Sequence, residues 1–254
     1  MKLGIVTYNL GREWDCDTII TNCEETGFEG VELRTTHAHG VEVELSVAER
    51  AEVASRFADS AVTIAGLGSA FEYDSPDTDE VRANIDGTNR YAELARDLGV
   101  AGVKVRPNRV HVDEGVPIAK TLEQIGLALR ECGEFAAGLD VQVRLEVHGK
   151  VTCLPRHIRT ILDHADHPNV VACWNSNMDD IEDGAIDANS ELQQDRIGLV
   201  HITELWNPYP WKRLFQLLKG TDYGGFCLAE IPETSDALRL MHYYRALYLA
   251  LAEL

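Results

Sequence analysis

Short runs rich in Val, Ile and Leu alternate with longer stretches of helical spacing along the whole chain, and this alternation admits few folds. The runs are Leu3–Tyr8, Gly30–Arg34, Val62–Leu67, Gly102–Arg106, Val141–His148, Val170–Asn175, Leu199–Thr203 and Phe226–Ile231. Short apolar runs of this kind read as parallel strands covered by helices. The segments between them carry helix punctuation. Asp17–Thr26 stops at Gly27, Glu80–Leu98 at Gly99 and Pro117–Ala137 near Gly138, as helices ending on glycine do. Ser46-Val47-Ala48-Glu49 is a capping box that opens a helix toward Asp59. Pro155–His164, Asp187–Gln194, Pro210–Leu218 and Ser235–Ala252 complete the helices. Eight strands alternating with eight helices is the pattern of an α/β fold of the (β/α)8 TIM-barrel type, with a doubly wound sheet as the other option. Against the latter, Leu10-Gly11-Arg12 after the first strand is not a dinucleotide-binding turn. No linker or composition break divides the chain, so residues 1–254 read as one barrel domain.

Charge narrows the partners. The chain holds 23 basic and 42 acidic residues, net −19. Nucleic acid and anionic membrane both demand a positive surface, so neither is expected. No run of about 18 apolar residues exists, and MKLGIVTYNL enters a strand pattern without a signal-peptide core. The six cysteines include no CxxC pair, and Cys173 and Cys227 lie inside apolar runs. Free thiols and a cytoplasmic location are the expectation.

In a barrel, catalytic groups stand at the C-terminal ends of strands, and alternation sorts which side chains point to the axis. Strand five turns Arg144, Glu146 and His148 inward, strand two Glu32 and Arg34, and strand four Lys104 and Arg106. Strand six ends on Asn175, strand seven turns His201 and Thr203 inward, and strand eight ends near Glu230. Such a set is costly unless its members pair with one another or bind a ligand or ion. Glu146, His201 and Glu230 supply two carboxylates and an imidazole, which can hold a divalent ion with positions left open. Glu146 and Glu230 are also able to exchange protons with a carbon between them. His148 projects beside Glu146, toward substrate hydroxyls or toward Glu146 itself. Arg34, Lys104 and Arg106 either neutralise the inward glutamates or receive a phosphate or carboxylate of the substrate. Trp14, Trp206, Tyr209 and Trp211 fall on or just beyond presumed strand-end loops, where an aromatic plane stacks on a sugar or packs the loop; Trp206 is the one assigned to substrate. His37-Ala-His39, after strand two, is a low-specificity metal signal.

The runs Val143-Arg-Leu-Glu-Val-His148, Val171-Ala-Cys-Trp-Asn175, Leu199-Val-His-Ile-Thr203 and Cys227-Leu-Ala-Glu-Ile231 resemble the xylose isomerase-like TIM-barrel superfamily. So do Lys2-Leu-Gly-Ile-Val-Thr-Tyr8 and Glu25-Thr-Gly-Phe-Glu-Gly-Val-Glu-Leu33. This superfamily groups sugar isomerases and epimerases, inosose and dehydroshikimate dehydratases, and endonuclease IV. The resemblance implies a divalent metal ion (Mn2+, Mg2+, Zn2+ or Co2+) held by Glu146, Asn175, His201 and Glu230, with Glu146 and Glu230 as acid/base pair. Two positions depart from the family pattern. Asn175 stands where the family has an aspartate, and Met178 where a histidine often follows. The missing charge implies weaker metal binding. The implied function is a metal-dependent isomerase or epimerase of a small sugar or polyol derivative, an anionic one included. A dehydratase or lyase on a cyclic polyol or sugar acid is the first alternative. A non-catalytic sugar-binding protein with a degenerate metal site is the second. A nuclease is not expected, because the sequence lacks both the richer metal cluster and the basic face that chemistry needs. A homo-oligomer is compatible with the sequence.

Overall fold

Every strand pairs in parallel with its sequence neighbour, and the last pairs back onto the first, so the sheet closes into a barrel in the order β1 to β8. This computed structural model describes residues 1–253; Leu254, the final residue of the expected domain span, lies outside them. The strands are β1 (Lys2–Val6), β2 (Gly30–Arg34), β3 (Thr63–Glu72), β4 (Gly102–Arg106), β5 (Gln142–Glu146), β6 (Val170–Asn175), β7 (Ile197–Ile202) and β8 (Phe226–Ala229). The helices are α1 (Cys16–Thr26), α2 (Val47–Ala58), α3 (Thr78–Leu98), α4 (Ile118–Ala137), α5 (Pro155–Ala165), α6 (Asp187–Glu191), α7 (Trp211–Gly220) and α8 (Ala237–Ala252). None among the described residues is long and apolar enough to cross a membrane.

Local chemistry sets the boundaries. Asp15 caps α1 by accepting from the Thr18 backbone N–H, and Ser46 and Glu49 close the reciprocal capping box of α2. α6 is shorter than its sequence pattern and ends at Glu191 rather than Gln194. β8 also stops early, at Ala229, although the Glu230 N–H still donates to the Ile202 carbonyl at 2.9 Å. That last bond ties Glu230 to β7 at the barrel rim.

Alternation divides the sheet into two cores. Val31, Leu33, Val103, Val105, Val143, Leu145, Val200 and Ile202 face the helices in the outer core. Val6, Ala65, Cys173, Leu199 and Leu228 form a separate small cluster inside the barrel. Arg144 also turns inward and is fully buried; its Nη1 donates to the Ala65 carbonyl at 2.7 Å and its Nε to Gln142 Oε1 at 3.0 Å.

β3 makes room for the charged groups of its neighbour. Its register slips opposite β2, where Val31 faces Ile64 and Glu32 faces Gly66, leaving Ala65 as an extra residue. At Gly68 a Cβ would stand 2.7 Å from Glu32 Oε1 and 3.2 Å from Arg34 Cδ. A side chain there would displace both, so glycine at this position is what lets β2 carry two ionisable groups into the barrel.

Candidate metal and substrate site

The inward glutamates and histidine meet at the C-terminal end of the barrel. Ligand atoms of Glu146, His201 and Glu230 all lie within 4.8 Å of one another. His201 Nδ1 is 3.5 Å from Glu146 Oε1 and 3.8 Å from Glu230 Oε2. On the other edge of the ring, Nε2 lies 3.2 Å from Glu32 Oε2. A carboxylate there can only accept, so a ring proton stands at Nε2, and a cation would bind at Nδ1, which faces Glu146 and Glu230, in place of a second ring proton. Lys104 Nζ lies 2.8 Å from Glu146 Oε2, and Asn175 Nδ2 donates to Glu146 Oε1 at 3.2 Å.

The electrostatics of this layer are set by competition between burial and neighbours. Burial works to raise the Glu146 carboxyl, but Lys104 and His201 outweigh it and hold the group well below the usual carboxylate range. Burial likewise opposes Glu32, and His201 and Lys104 again keep it below its ordinary value. Glu230 goes the other way: burial raises it, and the neighbouring Glu146 adds to the rise against His201. Burial disfavours a charged His201 ring, yet Cys173, Glu32 and Glu146 more than reverse this and lift it well above its usual value. For His148, burial lowers the pKa against the pull of Glu146, so its ring is neutral near pH 7.

These residues fit a divalent cation. Besides Glu32 Oε1, which turns to Gly68, two buried polar atoms at the cluster, His201 Nδ1 and Asn175 Oδ1, have no hydrogen-bond partner. Both are acceptors of the kind a metal ion takes. Charge agrees: with the His201 ring neutral and the carboxyls ionised, Glu32, Glu146 and Glu230 outnumber the buried cations near them, Lys104 and Arg144, which leaves net negative charge for the ion to match. Asn175 offers a neutral oxygen at the cluster, where an aspartate would add a carboxylate.

Above the cluster opens a cavity of about 420 Å3. Glu146, Glu230, Lys104, His148, Arg34 and Arg106 line it, together with Tyr8, Asn9, Glu204 and Asn207 at its sides. Asn175 and His201 are buried and are not part of that lining. The layer is therefore neither scattered nor closed off. Lys104 neutralises Glu146, and Arg106 pairs with Glu72 at 2.5 Å.

Other candidates fall elsewhere. Trp206 is 75% exposed and packs near Ile231, Leu240 and Tyr243 on the outside, away from the cavity. From the same β7–α7 loop, Glu204 and Asn207 line the cavity. Tyr209 and Trp211 are buried packing residues, and Tyr209 donates to Asp180 Oδ2 at 3.0 Å. Met178 is exposed and does not line the cavity. His39 is spent on the backbone, with Nε2 on the Arg34 carbonyl at 2.8 Å and Nδ1 accepting from the Val41 N–H at 3.0 Å. His37 lies 3.3 Å from Thr7 Oγ1. Strand parity turns Glu32 toward the mouth but carries no sign of its contact to His201. The only available signal was its inward parity on a strand across the barrel. Tyr8, Asn9, Glu204 and Asn207 were not singled out, and their sole signal was a position on strand-end loops.

Comparison with known proteins agrees with this architecture. No curated protein is detectably similar in sequence. Among solved structures, D-psicose 3-epimerase from Clostridium cellulolyticum H10, crystallised with D-tagatose, superposes with a TM-score of 0.82 at 15% identity, covering 99% of both chains. The 3-keto-D-glucoside 4-epimerase YcjR from E. coli matches at TM-score 0.80 and 15% identity, over 98% of this chain and 99% of its own. The IOLI protein with a bound zinc atom matches at 0.79 and 15%, over 100% and 98%. At such identity these likenesses establish the shared fold. The sequence profile of the xylose isomerase-like TIM barrel family matches residues 20–247, and the chain belongs to that family.

Proposed function

We propose that the protein is a divalent-metal-dependent isomerase or epimerase acting on a sugar or sugar derivative. One observation carries this reading: Glu146, His201 and Glu230 converge to within 4.8 Å beneath an open cavity of about 420 Å3. Glu146, Asn175, His201 and Glu230 would hold the ion. When bound, the ion supplies a Lewis acid that polarises a carbonyl or holds vicinal hydroxyls. The chain's own groups handle the proton. Lys104 keeps Glu146 ionised and thus able to accept, and Glu230, across the cluster from it, is the second carboxyl of the exchange. A carbon held between them loses a proton to one and regains it from the other, which moves a carbonyl or inverts a centre. Neutral His148, on the cavity wall, offers a donor or an acceptor to a hydroxyl. The epimerases named among the similar folds support a sugar substrate. Six buried free cysteines support a reducing compartment such as the cytoplasm.

Incubation of the Mn2+-loaded protein with a panel of ketoses and keto-polyols in D2O tests this. Deuterium should enter the carbon beside the carbonyl, and Glu230→Gln should abolish exchange while circular dichroism stays unchanged. Full exchange in Glu230→Gln removes the assignment. Loss of water with a rise in enone absorbance would instead mark a lyase, and sugar binding without exchange a non-catalytic receptor.

A further inference from the structure

The cavity has two chemically distinct walls. The metal cluster occupies the β5 to β8 side, while Arg34 at the end of β2 and Arg106 at the end of β4 line the other. Two of the three lining cations are already matched. Lys104 pairs with Glu146 at 2.8 Å and Arg106 with Glu72 at 2.5 Å. Arg34, half-buried, makes no ion pair among the described residues; its guanidinium reaches only the Gly68 carbonyl, from Nη1 at 3.3 Å. Gly68 is shaped to let it lie there, since a Cβ would stand 3.2 Å from Arg34 Cδ. Two further polar atoms at the cavity, Arg106 Nε on this wall and His148 Nδ1 just past β5, are buried without partners. Arg34 thus presents a guanidinium without an ion-pair partner to the cavity, beside unspent polar atoms, which is the arrangement a ligand anion matches.

We propose that Arg34, assisted by Arg106, receives a carboxylate of the substrate, so that the site takes a sugar acid. This rests on the isomerase reading for where the rest of the molecule lies. The planar fork of a guanidinium matches the two oxygens of a carboxylate. Charge favours carboxylate over phosphate: one unmatched cation balances a monoanion, whereas a phosphate dianion would leave a charge over in a cavity also lined by Glu204 and Glu230.

Calorimetric titration of the Mn2+-loaded protein decides the matter. The probes are D-glucuronate and 2-keto-D-gluconate, the neutral D-glucose and D-fructose, and D-fructose 6-phosphate. At least one acid should bind about tenfold or more tighter than its neutral counterpart, and tighter than the phosphate ester. Arg34→Gln should erase that preference, and Arg34→Lys, which keeps the charge, should retain part of it. Equal binding of acid and neutral sugar overturns the proposal. So does a preference that survives Arg34→Gln, a stronger response to the phosphate ester, or no binding by any probe. Deuterium exchange reports the parent reading separately. Selective acid binding without exchange keeps the carboxylate subsite and removes the isomerase; exchange on neutral sugars alone does the reverse.

Discussion

Replacing Glu32 by Gln isolates the part of the metal cluster that is built from across the barrel. Glu32 is fully buried on β2, and its Oε2 lies 3.2 Å from Nε2 of His201 on β7. The substitution keeps volume and shape, so the barrel should persist. It changes two things. A glutamine can turn its NH2 toward Nε2, which shifts the ring proton to Nδ1 and blocks the lone pair that an ion needs. It also removes one of the negative charges of the cluster. Loss of an outer partner of a ligating histidine costs about 10–100-fold in metal affinity, or about 1.4–2.7 kcal/mol. Glu32 also favours the protonated ring, so proton competition is strongest in the wild type. The comparison therefore belongs at alkaline pH, where that competition is least. Titration of EDTA-treated protein with Mn2+ should show Kd raised by about 10–100-fold in Glu32→Gln. At lower pH the gap should narrow, because the wild type loses affinity faster as His201 takes up its proton. An unchanged Kd in a folded variant would refute the orienting role of Glu32.

Asn175→Asp restores a third ligand carboxylate beside Glu146. The metal-free variant should melt lower than the wild type, through like-charge repulsion, and bind Mn2+ about tenfold or more tightly; thermal melts with and without the ion check both signs, and weaker binding would contradict the ligand position. Asp180 tests a buried acid beside the site. Burial lifts its carboxyl from 3.8 to about 7, while Tyr209 and the Asn177 N–H both donate to Oδ2 and Oδ1 is left free for the proton. Because the folded state holds that proton more tightly than the unfolded chain, stability should fall as pH rises from about 4 to about 7 and then level off. The loss is a few kcal/mol at most, roughly. Asp180→Asn keeps both acceptor bonds and should remove this slope, as read from denaturation midpoints at pH 5 and pH 8.

Much of the barrel was legible because its strands are written in β-branched residues between glycines. β2, β4 and β6 coincide with their apolar runs, and α2 begins where its capping box says. The mismatches have physical causes. β3 extends past Leu67 to Glu72 through Gly68, Ser69 and Ala70, residues of low strand propensity, and at Gly68 Glu32 and Arg34 occupy the space a side chain would need. The runs of β1 and β8 continue beyond the ladder, into the loops that bring Tyr8 and Glu230 to the cavity. Within the site, side-chain parity along each strand was enough to turn Glu146, His201 and Lys104 to the axis. It could not pair residues on opposite sides of a barrel, which is why the Glu32–His201 contact and the isolation of Arg34 emerge only from the tertiary structure. Loop aromatics were the least legible. Nothing local distinguishes the outward Trp206 from the inward Asn207 one position later.

Glu146, Asn175, His201 and Glu230 are proposed to form one cation site. Its most direct test is a crystal structure of the Mn2+-loaded protein, with anomalous diffraction recorded at the manganese edge. A single strong peak is expected, about 2.0–2.4 Å from His201 Nδ1 and from oxygens of Glu146 and Glu230, with the side-chain oxygen of Asn175 turned toward it. No peak there, with His201 instead hydrogen-bonded to Glu146 or Glu230, would contradict the claim.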